Sequence, residues 1–218
     1  MLKKTGTMRL LAFTMTFAAI AFAHGEEKPA PAPALGVGQS EPAVAPYLRE
    51  EAPAFNLTIQ QFRDKFNAAN PGLTLAEYKI IKQQEDKSPI VRAASRINTT
   101  LYSSVALEKS QRQIKSLQLT YLPAATALSV PETAESAAKR EKAAAELMTN
   151  YMAAFILLFE PTQTRQSCRQ KAIELLKRGK GEPFYQQTEG TLRFVIADRG
   201  EKGITFALEP IKLSLSDK

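Results

Sequence analysis

The chain has 218 residues, 44% of them hydrophobic, with one cysteine, one histidine, no tryptophan and a net charge of +7. One cysteine excludes an internal disulfide, and because the single histidine, His24, lies ahead of the part of the chain read as folded, a serine or cysteine hydrolase with the usual imidazole base and a histidine-rich zinc site are excluded. The positive charge is mild and carries no recognisable nucleic-acid module, so no nucleic-acid partner is expected.

The N-terminus reads as an export signal. Lys3, Lys4 and Arg9 form a basic front, residues 10–23 are free of charge, and Ala21-Phe22-Ala23 is a small-x-small cleavage pattern. The apolar run falls short of the roughly 20 residues a spanning helix needs, which argues against an uncleaved anchor. No cysteine lies near the cleavage point to take a lipid, so a soluble product without a transmembrane segment is expected. Removing residues 1–23 takes three basic side chains and lowers the charge from +7 to +4. His24 then becomes the first residue, but a copper site there needs further imidazoles that the chain lacks.

Residues 24–52 follow as a tether, with Pro29, Pro31, Pro33, Pro42 and Pro46 among Ala, Gly, Ser and Glu. That composition favours extended, solvated chain. Residues 53–218 remain as one domain. Asn56-Leu57-Thr58 and Asn98-Thr99-Thr100 match the glycosylation sequon, which has meaning only in a eukaryotic secretory pathway.

Thr58 and Gln61 form a capping box, with Leu57 and Phe62 placed as a hydrophobic staple. Ile59, Phe62 and Phe66 share the face of this first helix, which Asn70-Pro71-Gly72 ends. Residues 75–83 read as a strand and residues 89–97 as a short helix. Residues 101–107 alternate as a strand, with Leu101, Val105 and Leu107 on one side. The spacing of Ile90, Ala94, Ile97 and Leu101 would equally continue the helix; the strand is the reading adopted. Residues 114–122 form a further strand, with Leu117, Leu119 and Tyr121 together and Pro123 as its stop.

The longest helix is expected to begin at a capping box, Ser129-Val130-Pro131-Glu132. Its apolar stripe runs through Ala144, Leu147, Met148, Tyr151, Met152, Phe155, Leu158 and Phe159, with Glu146, Thr149 and Asn150 opposite. Before Ala143 the stripe is lost among charges, so the front should project into solvent, while Ile156 and Leu157 widen the apolar surface at the other end. A third helix starts at Thr162 or Thr164 and stops at Gly179, with Cys168, Ala172, Leu175 and Leu176 on its apolar face. A closing hairpin pairs residues 191–197 with 203–213 around a turn at 198–202. Two blocks thus run helix then strands, without a repeated motif. The pattern is α+β, with a largely antiparallel sheet of about five strands and helices packed on one face, leaving the other face open to a partner.

No catalytic residue, cofactor or metal is expected. Glu189, Asp198, Glu201 and Glu209 are the carboxylates of the hairpin region, and a hydrolytic pair would have to face each other about 5–10 Å apart across a cleft. Cys168 lies on an apolar helix face and reads as a small core hydrophobe. The Met148, Met152 and Phe155 stripe reads as core packing, although a lipid pocket would use the same residues. The strongest charge bias is in residues 161–180, where Arg165, Arg169, Lys171, Lys177, Arg178 and Lys180 face only Glu174. These six are the candidate surface for an anionic envelope component or an envelope protein. The plainer reading is a solvated helix with a basic last turn that suits its dipole. On a helical wheel Arg169 falls inside the apolar arc, where it either snorkels or pairs with a carboxylate or bound anion.

Ala54-Phe55-Asn56-Leu57-Thr58, Gln61-Phe62-Arg63, Arg92-Ala93-Ala94-Ser95, Ile114-Lys115-Ser116, Gly200-Glu201-Lys202-Gly203 and Glu209-Pro210-Ile211-Lys212-Leu213 resemble the YiiQ-like envelope proteins of enteric bacteria. The resemblance covers most of residues 54–215, with departures at 124–145 and Cys168. It implies a soluble periplasmic protein of a Gram-negative cell and brings no activity or catalytic residues. The reading adopted is a non-enzymatic periplasmic binding or interaction domain on a flexible tether. A carboxylate-based hydrolase of an envelope polymer and a lipid-binding carrier are the alternatives.

Overall fold

The computed structural model describes residues 44–81, 89–110, 112–123 and 133–212, all within the compact unit Gly38–Lys218. The export signal, residues 24–43 of the tether, the capping box at 129–132 and the end of the last strand at Leu213 lie outside the described residues.

The first turn of structure comes early. Residues Pro46–Leu48, inside the stretch that composition assigns to the tether, form a short 3-10 turn. Strand β1 (Phe55–Thr58) then runs directly into helix α1 (Ile59–Ala69). Thr58 caps the helix as its sequence requires: its Oγ1 accepts from the Gln61 amide at 3.3 Å, and Gln61 Oε1 accepts from the Thr58 amide at 3.0 Å. Such a cap stabilises a helix by about 1 kcal/mol.

Strands β2 (Lys79–Ile81), β3 (Ile90–Arg96), β4 (Leu101–Glu108) and β5 (Gln113–Tyr121) follow. Helices α2 (Ala134–Phe159) and α3 (Arg165–Arg178) come next, and β6 (Tyr185–Glu189), β7 (Leu192–Asp198) and β8 (Ile204–Pro210) close the chain. All eight strands join one antiparallel sheet, in the order β2-β3-β4-β5-β8-β7-β6, with β1 paired to β5 off that path. Each half contributes a meander, β3-β4-β5 and β6-β7-β8, and the two meet where their last strands pair.

The sheet is therefore larger than the five strands expected. The short helix expected at 89–97 is strand β3; of the strand expected at 75–83, residues 75–78 are irregular, Lys79–Ile81 form β2, and 82–83 lie outside the described residues. Arg92-Ala93-Ala94-Ser95 has good helix propensity, but it lies between β2 and β4, with Ala93 fully buried under the main core. Sheet pairing and burial override a preference worth only tenths of a kcal/mol per residue. The next turn has a clear cause: Asn98 Oδ1 accepts from the amides of Thr100 and Leu101 at 2.8 and 2.7 Å, folding β3 back on β4.

The helical packing also differs from a simple layer. Helix α2 lies across β5 and β8, α3 packs on α2 and β7, and α1 packs on α2 and β1. The second half of α2 is consequently enclosed by sheet and two helices. Residues 148–156 are all buried except Asn150, which includes Thr149, expected on the polar side. Thr149 Oγ1 satisfies itself on the Ala145 carbonyl at 2.7 Å. The front of α2 is largely exposed, as its charges require, and it starts at Ala134 with Thr133 as the cap. Rings from α1 and α2 knit this centre. Phe155 meets Phe62 and Phe66 edge-on at 5.5 and 5.2 Å, and Phe66 stacks on Tyr151 at 5.8 Å. Each such pair adds about 0.5–1.5 kcal/mol to the burial of its rings.

Strand β5 carries a bulge. Ala106 pairs with Ser116 but Leu107 with Ile114, so Lys115 is the extra residue. Ile114 and Leu117 both reach the core, and Lys115 and Ser116 both turn to the opposite face.

Candidate functional site

The face of the sheet away from the helices is not bare. The segment before β1 crosses it and is held by two cations. Lys115, 3% exposed, donates through Nζ to the carbonyls of Arg49 at 2.7 Å and Glu50 at 3.3 Å. Arg92 Nη2 donates to the Tyr47 hydroxyl at 2.9 Å, with its guanidinium 5.7 Å from the centre of that ring. The bulge in β5 supplies the lysine, so a backbone irregularity fixes where the strap lies.

Register arranges the rest of this face in rows. Gln118, Ala207 and Val195 face one another across β5, β8 and β7; Thr120, Thr205 and Ala197 form the next row. Between the strap and the turns at 181–184 and 199–203 these rows floor a pocket of about 500 Å³. Its apolar lining is Phe184, Val195 and Ala207, with Pro46 and Tyr47 from the strap. Arg199 and Lys202 supply positive charge at its edge, and Gln118, Thr205 and Glu209 supply the other polar groups. Gly203 closes one wall at φ +101°, and a Cβ there would collide with the Tyr121 carbonyl, so only glycine fits.

Glu209 is the carboxylate of this pocket, and it is 2% exposed. Arg193 donates to its Oε2 through Nε at 3.0 Å and Nη2 at 2.8 Å, and Ser116 Oγ donates to its Oε1 at 3.4 Å. The chain of hydrogen bonds continues from Gln118 Nε2 to Ser116 Oγ at 3.2 Å, and from Ser104 Oγ to Gln118 Oε1 at 3.4 Å. Burial pushes the Glu209 carboxyl above its ordinary range, outweighing the pull of Arg193 and Ser116 in the other direction.

The other carboxylates of the hairpin region have structural duties. Asp198 accepts from the amides of Gly181 and Gly200 at 2.7 and 3.0 Å and so organises two turns. Glu189 binds Lys171, while Glu201 is exposed in the turn. The Met148, Met152 and Phe155 stripe is core, and Cys168 is 1% exposed, its thiol pushed up by burial.

The six basic residues of 165–180 do not share one surface. Lys171 is held between Glu160 at 2.9 Å and Glu189 at 2.8 Å, with its ammonium 5.3 Å from the centre of the Phe194 ring. Burial alone would lower its pKa, but the hydrogen bonds it donates to both carboxylates, and their charges, raise it instead. Arg178 donates to Gln187 at 3.2 Å, and Lys177 and Lys180 are exposed at the helix end. Arg165 and Arg169 instead line a second pocket, of about 420 Å³, with Asn70, Pro71, Gly72, Leu73, Asn150 and Ala153. Arg169 is exposed: 47% of its side chain is open to solvent, and its guanidinium approaches Glu146 at 3.9 Å.

Sequence reasoning missed the sheet-face pocket, because its residues come from three segments distant in sequence. The available signal was the polar alternation of Ser116, Gln118 and Thr120 in β5, opposite the core face.

A family described as "Protein of unknown function (DUF1454)" matches residues 13–217. The chain is also 47% identical over 173 residues to "Uncharacterized protein YiiQ" of Escherichia coli (strain K12), covering 79% of this chain and 81% of that protein. No solved structure matches. Among the described residues, no helix is long and apolar enough to cross a membrane.

Proposed function

The chain belongs to the family described as protein of unknown function (DUF1454), and from that premise we propose that it is a non-enzymatic binding domain acting in the periplasm, with its ligand seated on the helix-free face of the sheet. The observation that carries this reading is the pocket of about 500 Å³, with an apolar floor of Phe184, Val195 and Ala207 and cations at its edge. Its size is within the range of small-ligand sites, about 300–1,000 Å³. An apolar floor beside Lys202 and Arg199 suits a small amphiphile with an acidic group. The apolar body displaces water from the floor, and the acid is drawn to the edge.

The hydrolase reading draws on Glu209, a carboxyl raised by burial inside a pocket. Its chemistry is already committed. One oxygen is occupied by two Arg193 donors and the other by Ser116. A hydrolytic pair requires a second carboxyl about 5–10 Å away, and Glu209 is the sole carboxylate among the residues lining the pocket. Glu209 therefore serves as the anchor of a polar network.

The test is titration of the purified mature protein with anilinonaphthalene sulfonate, an apolar aromatic acid whose fluorescence reports burial. Saturable binding is expected, lost when Ala207→Phe fills the floor and weakened several-fold by Lys202→Glu. Near-UV circular dichroism checks that each variant keeps its packing. Undiminished binding by a correctly folded Ala207→Phe protein refutes the site. Release of the tagged protein by osmotic shock supports the periplasmic address; retention with the cytoplasmic contents refutes it.

A further inference from the structure

The second pocket, at the junction of the three helices, has a chemistry of its own. Arg165 and Arg169 are one turn apart on α3, so both guanidinium groups leave the same side of the helix. Opposite them α2 contributes Asn150 and Ala153, and the turn after α1 contributes Asn70, Pro71, Gly72 and Leu73. The lining therefore holds two cations, two amides and no carboxylate.

Arg165 is already positioned. Its Nη2 donates to Asn70 Oδ1 at 3.0 Å and to the Ala69 carbonyl at 3.5 Å. Asn70 is itself 5% exposed and tied through Nδ2 to the Phe66 carbonyl at 2.9 Å. These contacts occupy one nitrogen of the guanidinium fork, and the remaining donors are available to a ligand. Among the described residues, Arg169 is paired only with Glu146, at 3.9 Å, with the two side chains 47% and 60% exposed. A pair that open to water is worth little and exchanges readily for a better acceptor.

We propose that this pocket binds the phosphate group of an organic phosphate. A carboxylate has two oxygens, and one guanidinium fork fills them. A phosphate monoester presents three non-bridging oxygens, and the diester of a phospholipid two, set at tetrahedral angles and so able to take donors from two forks at once, with the third oxygen of a monoester left for an amide. The pocket, about 420 Å³, is much larger than the phosphate itself, and Pro71, Leu73 and Ala153 offer an apolar wall to the organic part. Such a group reaches the site either on a soluble phosphate ester or on a phospholipid headgroup.

The experiment is calorimetric titration of the full mature chain with glycerol phosphate at low salt. Co-sedimentation with vesicles of phosphatidylglycerol, against vesicles of phosphatidylcholine alone, runs beside it. Binding of glycerol phosphate assigns a soluble ester; binding only to the anionic vesicles assigns a headgroup. In either case Arg169→Gln is expected to weaken binding about tenfold, the scale of one lost charge-assisted contact. Arg165→Lys, which keeps the charge but removes the fork, should weaken it comparably. Lys180→Gln, which removes the same charge from the exposed turn after α3, should change binding less than about twofold. Absence of binding to both probes overturns the proposal. So does an equal loss in Lys180→Gln, because diffuse positive charge would then account for the binding.

Discussion

Replacing Arg193 by methionine removes the charge that accompanies Glu209 into the sheet while keeping most of the side-chain volume. The Glu209 side chain is 3% exposed and that of Arg193 is 18% exposed, with two hydrogen bonds between them. Breaking a buried pair from one side costs about 3–5 kcal/mol, because the remaining charge has no counter-ion. Ser116 still donates to the carboxylate, and water reaches the site where Arg193 emerged, so the lower end, about 3 kcal/mol at neutral pH, is expected. The pH dependence distinguishes this mechanism from lost packing. Glu209 is held above its ordinary value of 4.5 in the fold, so the fold retains the proton more tightly than the unfolded chain. The stability associated with that proton is complete below the unfolded value and is lost as pH rises through the folded value. Removing Arg193 removes the largest influence pulling the carboxyl down, so the loss becomes larger and extends to higher pH. Urea unfolding of the wild type and Arg193→Met should therefore differ little near pH 4, with the gap widening toward neutrality. Adding Glu209→Gln should largely abolish that widening. A deficit equal at both ends of this range, or a double variant whose deficit widens as much as that of Arg193→Met, would refute the account.

The Cys168 thiol, buried and raised by desolvation, should resist iodoacetamide in the native protein at pH 7.5 and react promptly in urea; rapid native alkylation would contradict its burial. Lys171→Met deprives Glu160, whose side chain is 16% exposed, of its ammonium partner and should cost about 1–2 kcal/mol in urea unfolding. Gly203→Ala forces a side chain into a positive-φ turn and against the Tyr121 carbonyl, and should lower stability by about 2 kcal/mol or more. An unchanged thermal midpoint for that variant would show that the turn can rearrange.

Elements whose cause is local were legible from residue order. Thr58 and Gln61 define the start of α1 by two hydrogen bonds three residues apart, and of the two starts open for α3, Thr162 and Thr164, the structure uses Thr164, capped in the same way with Ser167. The alternating apolar residues of β7 and β8 pair as their spacing predicts, Phe194 with Leu208 and Ile196 with Phe206. The buried stripe of α2 and the core position of Cys168 followed from helical periodicity. Strands β3 and β6 were not legible. The first has the composition of a helix, and the second, Tyr-Gln-Gln-Thr-Glu, has no apolar alternation because it forms an edge of the sheet.

The sequence by itself determined the mixed class, the cap of α1, the hairpin and most residues of the core, since each depends on periodicity or on groups a few positions apart. Only the tertiary structure decided how many strands join the sheet, where the strap lies, and which cations have partners. Lys171 looks like any other lysine of α3 until folding brings Glu160 and Glu189 beside it, from 11 and 18 residues away. Lys115 reaches the strap across 66 residues, and Arg193 reaches Glu209 across a β-ladder. Charges separated by such distances along the chain act on one another only when packing excludes the water between them, so their pairing belongs to the fold and not to local sequence.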